Sequence, residues 1–191
     1  MSEEQVSNPD ADGEVTAEEQ QPLVVQKVQE QYPDAILDVS DARGELTVTV
    51  RKEDIYELMA FLKNDSELAY NFLADVTAVD YSLMEDVLIK YDYARFTVVY
   101  HLLSTERKER LRVKVPVHEK ESSIPSMASI WKVANWLERE TYDMFGIAFE
   151  DHPDLRRILM PDDYEGYPLR KDYPLRGRGE RETFNFEEQN V

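Results

Sequence analysis

The strongest constraint on the fold is a pair of strand-like runs, residues 95–103 and 110–117, joined by Ser104-Thr105-Glu106-Arg107-Lys108-Glu109. In the second run Leu111, Val113, Val115 and Val117 alternate with Arg110, Arg112 and Lys114. A period of two puts the apolar set on one face of a pleated strand and the cationic set on the other. The polar link suits a hairpin, so the two runs predict an antiparallel pair with one buried face. The basic face can bind anions, but a solvent-facing sheet alternates in the same way, and the plainer reading is preferred. His101, inside the first run, reads as packed or partly exposed, and His118 stands just past a strand end without a companion.

The elements before the hairpin follow from the same patterns. Leu23, Val24, Val28 and Tyr32 predict a short amphipathic helix ended by Pro33. Residues 36–39 and 46–50 read as strands around Asp41-Ala42-Arg43-Gly44. Ile55, Leu58, Met59 and Leu62 recur at helical spacing over residues 53–63, with Glu53 and Asp54 at the positive end. A helical turn over 66–72 leads to strands near 75–81 and 87–91. After the hairpin, Pro125 and Ser126 open the last helix, with Ser126 as N-cap and Ile130, Val133, Ala134, Leu137 and Thr141 facing inward. Gly146 is placed to end it in a left-handed conformation.

This order predicts an α+β fold, a mostly antiparallel sheet with helices packed against it. A long irregular C-terminal segment follows, with no further periodic element. So long a stretch without structure of its own is uncommon unless it is functional or disordered. Its content of Tyr, Phe, Leu and Ile argues against disorder. The first 21 residues hold seven acids, no Lys or Arg and almost no large apolar residues. They read as a disordered acidic tail. The expected organisation is tail 1–21, α+β domain 22–146 and extended partner-binding segment 147–191.

Composition narrows the function. With no Cys, the chain has no disulfide, no thiol nucleophile and no cluster held by its own cysteines. The three His are far apart in sequence, which disfavours a zinc site. A net charge of −18 argues against nucleic acid. No run approaches the ~18 apolar residues of a membrane span, and the N-terminus lacks the features of a secretory signal. A soluble cytoplasmic protein is expected, reaching any membrane only through partners.

The chemistry concentrates in residues 136–175. From Glu138 to Arg176 the sequence holds ten acids and six basic residues among many aromatics. His152 beside Asp143, Glu150, Asp151 and Asp154, with Arg156 and Arg157 nearby, could act as a general base in a free-standing hydrolase. No nucleophile, phosphate-binding or metalloprotease motif accompanies it, however. Arg139 and Asp143, one helical turn apart, can pair for about 0.2–0.5 kcal/mol. Tyr142, Phe145, Phe149, Tyr164, Tyr167 and Tyr173 would serve as aromatic anchors, and the arginines as bidentate donors. This is the composition of an interface between subunits. The predicted interface residues are Glu138, Arg139, Glu140, Asp143, His152, Asp154, Arg156, Arg157, Asp162, Asp163, Arg170, Lys171, Asp172 and Tyr173, with no catalytic, cofactor-binding or metal-ligating residue.

Glu138-Arg139-Glu140-Thr141-Tyr142-Asp143-Met144-Phe145-Gly146-Ile147 resembles the signature of the 30 kDa subunit family of respiratory complex I, the C subunit of the bacterial NADH–quinone oxidoreductases. The likeness continues through His152-Pro153-Asp154-Leu155-Arg156-Arg157-Ile158-Leu159, Pro161-Asp162-Asp163 and residues 166–175. Upstream, Tyr100-His101-Leu102-Leu103-Ser104, Ile130-Trp131 and Ala134-Asn135-Trp136 also fit, so it covers about residues 30–178. The resemblance implies a cofactor-free structural subunit of the peripheral arm, with FMN and iron–sulfur clusters in partner subunits. It implies packing against the quinone-site subunit (49 kDa, or D) and near the B and I subunits. It also implies peripheral association with the cytoplasmic side of the bacterial cell membrane, in a complex that couples NADH oxidation by quinone to proton translocation. The alternative is an equivalent subunit of a related complex that uses ferredoxin or a reduced deazaflavin as donor.

Overall fold

The computed structural model describes residues 21–178. All of the expected acidic tail except Gln21 lies outside the described residues. In chain order the elements are α1 (Leu23–Gln31), β1 (Ile36–Ala42), β2 (Glu45–Val50), α2 (Ile55–Asn64), β3 (Phe72–Asp80), α3 (Glu85–Lys90), β4 (Phe96–Ser104), β5 (Glu109–Val117), a 3-10 turn (Glu119–Glu121), β6 (Ser123–Pro125), α4 (Ala134–Phe145) and β7 (Ala148–Glu150). The first five strands form one sheet in the order β1-β2-β5-β4-β3. Within this sheet, among the described residues, only the β2–β5 pair is parallel. The expected α+β class holds, and the predicted hairpin pairs in unbroken register from Phe96–Val117 to Ser104–Glu109.

The register sorts the sheet into two faces. Val48 and Val50 line up with Leu111, Val113, Val115 and Val117, and these with Phe96, Val98, Tyr100 and Leu102. This face is buried under Val24, Val25 and Val28 of α1 and Ile55, Leu58, Met59 and Leu62 of α2. Burying one such side chain contributes ~1.5–3 kcal/mol. Four on one ten-residue helix outweigh the marginal stability of so short a helix alone. The opposite face carries Asp38, Thr49, Lys114, Val99 and Thr77 in one row and Ser40, Thr47, Arg112, His101 and Asp75 in the next. α3 lies over part of it. Lys90 Nζ and Tyr91 Oη both donate to Asp38 Oδ2, at 2.6 and 3.1 Å. The free edge of β3 is closed by α4, where Thr141 Oγ1 donates to the Val76 carbonyl at 3.1 Å.

Three expectations are corrected. Residues 87–91 read as a strand but belong to the helix α3. The run Val87-Leu88-Ile89 is too short to show a period. Glu85 and Asp86 before it and Lys90 after it complement a helix dipole. Ser126 does not cap the last helix, which starts at Ala134 without a side-chain cap bond. A stronger acceptor, Glu138, takes the Ser126 hydroxyl instead. Of the predicted inner stripe, Ala134 and Thr141 are buried and Ile130 and Leu137 pack against the core, but Val133 is exposed; Glu138, Asp143, Met144 and Phe145 are buried as well. Finally, order continues past Gly146: Ala148–Glu150 pairs in parallel with Ser123–Pro125, and Ile147 and Phe149 are core residues. A three-residue strand is too short to leave a periodic trace.

Candidate functional site

The segment after α4 is tied to the domain at three polar points, each built on residues from 80–172. The first is Asp143, whose side chain is 0% exposed. Its Oδ2 accepts the amides of Ile158, Leu159 and Met160 at 3.0, 2.8 and 2.8 Å. Its Oδ1 takes Arg157 Nη1 at 2.6 Å, and Arg157 Nη2 continues to the Gly166 carbonyl at 3.0 Å. Burial alone would raise this carboxyl. The three amides and the guanidinium outweigh it and hold the group below the usual carboxylate range. Arg139 does not pair with Asp143 as its spacing suggests. It reaches over the same loop and donates to the carbonyls of Arg156 and Arg157 at 3.1 and 3.0 Å.

The second point surrounds Gly146. This residue ends α4 in the left-handed region, φ 73° and ψ 28°, as expected. A Cβ here would also meet the Tyr167 ring at 2.5 Å and Arg170 Nη2 at 2.7 Å. Arg170 Nε donates to the Phe145 carbonyl at 2.6 Å, and the guanidinium stacks 4.5 Å from the Tyr167 centroid and 5.0 Å from that of Phe96. The Leu169 amide donates to the Met144 carbonyl at 3.1 Å.

The third point is Asp80, at the end of β3 and fully buried. Arg95 grips it with Nε at 3.1 Å and Nη2 at 2.8 Å, while the Lys171 amide donates to Oδ2 at 2.9 Å. Arg95 Nη2 also meets Asp172 at 2.9 Å. Against the opposing effect of burial, these donors draw the Asp80 carboxyl down to about 2. The sequence reading missed Asp80 and Arg95. The one available signal was an acid closing an apolar strand, and nothing in the spacing ties residue 80 to residue 171. Beyond these points Tyr173 leans on Tyr164, with hydroxyls in hydrogen-bond contact and ring centroids 6.4 Å apart.

A fourth cluster faces the domain interior. Glu138, 0% exposed, accepts the Ser126 hydroxyl and the Met127 amide, each at 2.6 Å. Among the described residues no Lys or Arg touches it, and burial pushes its carboxyl up to about 7. His152 lies alongside, with Nε2 3.9 Å from Glu138 and 3.0 Å from the Asn135 carbonyl. Its Nδ1 accepts the Asp154 amide at 3.0 Å. A ring protonated only on Nε2 satisfies both bonds. The His152 side chain is 0% exposed, so the general-base arrangement considered for a hydrolase offers no access to a substrate.

The predicted interface set thus divides by position. Glu138, Asp143 and His152 are enclosed, and Arg139, Arg157, Arg170 and Tyr173 are partly buried in contacts within the chain. Glu140, Asp154, Arg156, Asp162, Asp163, Lys171 and Asp172 face outward. Of the proposed aromatic anchors, Phe145 and Phe149 belong to the core. Apolar groups on the outer surface come instead from Trp136, 68% exposed, Leu159, Leu169 and Leu175, 94% exposed. Among the described residues no group of three or more His, Cys, Asp or Glu is placed to hold a metal ion. No helix among them is long and apolar enough to cross a membrane.

Residues 48–179 match the family described as respiratory-chain NADH dehydrogenase, 30 Kd subunit. The chain belongs to this family. It is 54% identical over 153 residues to the C subunit of the NADH-quinone oxidoreductase of Citrifermentans bemidjiense, covering 80% of this chain and 89% of that one. To the protein of the same name in Roseiflexus castenholzii it is 48% identical over 164 residues, 86% of this chain and 90% of the other. Among solved structures, the trypsin-resistant fragment of Nqo5 aligns with a TM-score of 0.59 and 35% identity, over 70% of this chain and all of that fragment. A chain of an archaeal membrane-bound sulfane sulfur reductase aligns with a TM-score of 0.62 at 24% identity, over 80% of this chain and 84% of that one, a likeness of fold. The family match runs through Asp80, Arg95, Asp143 and Arg170, so it includes all three attachment points.

Proposed function

We propose that the chain is the C subunit of a proton-translocating NADH–quinone oxidoreductase and acts as a structural member of its peripheral arm. The observation that carries this reading is the family match over residues 48–179, together with relatives of that name at about half identity over most of both chains. On this reading the chain contributes no catalytic residue, and FMN and the iron–sulfur clusters are held by partner subunits. Residues 147–191 are the partner-binding segment. The outward-facing side chains of Trp136, Leu159, Leu169 and Leu175, with those of Glu140, Asp154, Arg156, Asp162, Asp163 and Lys171, pack against the quinone-site subunit and lie near the B and I subunits. Exposed apolar side chains accompanied by charged ones suit a surface that a partner covers. The chain then sits on the cytoplasmic side of the cell membrane and is held there by its partners.

The test is a native pull-down on the tagged full chain, followed by mass spectrometry and an NADH–quinone assay of the eluate. The expected result is co-isolation of the quinone-site, B and I subunits with NADH-dependent quinone reduction. Isolation of the chain alone, or with an unrelated set of proteins, would overturn the reading. Partners that include a ferredoxin- or deazaflavin-dependent input in place of an NADH-oxidising one would favour the related-complex alternative.

A further inference from the structure

Residues 81–94 leave the sheet between β3 and β4, and the Tyr81 amide closes their base by donating to the Arg95 carbonyl at 2.8 Å. Inward, Val87 and Leu88 of α3 are half-buried, and Lys90 and Tyr91 are fastened to Asp38. Outward, Leu83 is 78% exposed and Tyr93 67%, and Met84 and Ile89 are exposed with them. Among the described residues, four of the fourteen exposed large apolar side chains thus fall within eleven residues, far above an even spread. The six residues of α3 span only about 9 Å, and the Tyr93 amide folds back on the Leu88 carbonyl at 2.6 Å, so all four stand on one short projection. Asp92 and Tyr93 both hold the left-handed backbone, φ 51° and 59°, which an aromatic residue seldom adopts and which here sets the Tyr93 ring in solvent. Water favours neither feature. A covering surface would offset both.

Charge selects the occupant. Glu85, Asp86 and Asp92 make no ion pair among the described residues, while Lys90, the one cation of residues 81–94, is held by Asp38. A second copy would set these acids against their like, and an anionic bilayer surface would repel them. Position points the same way. The base of the projection, Asp80 and Arg95, is also the seat of Lys171 and Asp172, so the projection adjoins the outward-facing Leu169 and Lys171. Resting on the reading of this chain as a subunit of a larger complex, we propose that α3 and its flanks dock on a partner subunit, against a surface that combines apolar groups with Lys or Arg. The apolar side chains supply the contact, and the acids choose the partner and its register.

Hydroxyl-radical footprinting of the purified full chain and of the intact purified complex tests the contact, because it labels side chains only where water reaches them. Labelling of Met84, Ile89 and Tyr93 is expected to fall severalfold in the complex, as at Trp136. Two variants at one exposed position then read the partner's charge. Ile89→Lys should lose most of the protection at Met84 and Tyr93, and Ile89→Glu should keep severalfold more of it. Protection of Trp136 with none at Met84, Ile89 and Tyr93 overturns this inference alone, whereas protection at neither place overturns the subunit reading with it. Equal loss in the two variants, or loss in the reverse order, rules out a cationic partner surface and sinks the proposal. So does protection that appears in the free chain as its concentration rises, the mark of a second copy.

Discussion

Five residues apart on the same helix, Glu138 and Asp143 are both fully enclosed acids, yet their surroundings move them in opposite directions. Glu138 receives two neutral donors and, among the described residues, no Lys or Arg, and its carboxyl rises to about 7. Asp143 receives three amides and a guanidinium, and its carboxyl falls below the ordinary range. Burial is common to both, so the partner decides the outcome. The difference maps onto position. Glu138 joins α4 to the Ser126 turn inside the domain. Asp143 joins α4 to residues 157–160 and so fixes the segment that carries the outer surface.

Replacing Asp143 by Ala should have the largest effect on the isolated chain. It leaves the partly buried Arg157 guanidinium and three amides without their acceptor, a loss of about 3–5 kcal/mol for a buried charge left unpaired. Denaturant unfolding should register it, and trypsin should cut after Arg156 and Arg157 well before the domain is lost. Unchanged stability would mean that Asp143 is no anchor.

The pH dependence should separate the two acids. The folded Glu138 binds a proton more tightly than the unfolded one, so its contribution is full below about 4.5 and is lost as pH rises to about 7, by up to roughly 3 kcal/mol. Glu138→Gln should flatten stability across that window. Asp143 and Asp80 have the opposite sign. Their contribution is full above the ordinary carboxylate range and is lost as pH falls toward about 2 for Asp80. A Glu138→Gln protein that keeps the wild-type slope between pH 4.5 and 7 would refute the assignment.

Gly146→Ala should rank next. The left-handed backbone costs a Cβ-bearing residue ~1–2 kcal/mol, and the Tyr167 ring at 2.5 Å must also move. The expected signature is increased tryptic cleavage after Arg170 with the sheet intact. Smallest is Arg156→Glu. This side chain is exposed and, among the described residues, pairs only with nearby Asp154, so chain stability should change by no more than ~0.5 kcal/mol while assembly on a native gel declines. Arg157→Glu cannot isolate assembly in this way, because Arg157 also holds Asp143.

These contrasts mark what the amino-acid pattern could convey. The hairpin, the α2 stripe and the Gly146 cap were legible because each is encoded within a few residues at a fixed period. Residues 136–175 were legible as a surface too apolar for a solvated loop and too charged for a core. Which charges turn inward was not, since that depends on contacts between distant residues: Asp80 with Lys171, Arg170 with Phe145, Glu138 with Ser126. Phe145 and Phe149 read as anchors for a partner for the same reason. Aromatic content is identical whether the covering surface belongs to another chain or to this one.

The central claim is that the segment after α4 is ordered by its own domain and presents a preformed outer surface. Amide hydrogen exchange of the full chain, purified without partners at neutral pH, tests this most directly. The amides of Ile158, Leu159, Met160 and Lys171 donate to Asp143 and Asp80, and should exchange slowly, with protection lost in Asp143→Ala at residues 158–160 only. Exchange of all four at the rate of an unstructured peptide would contradict the claim and leave the ordering of this segment to its partners.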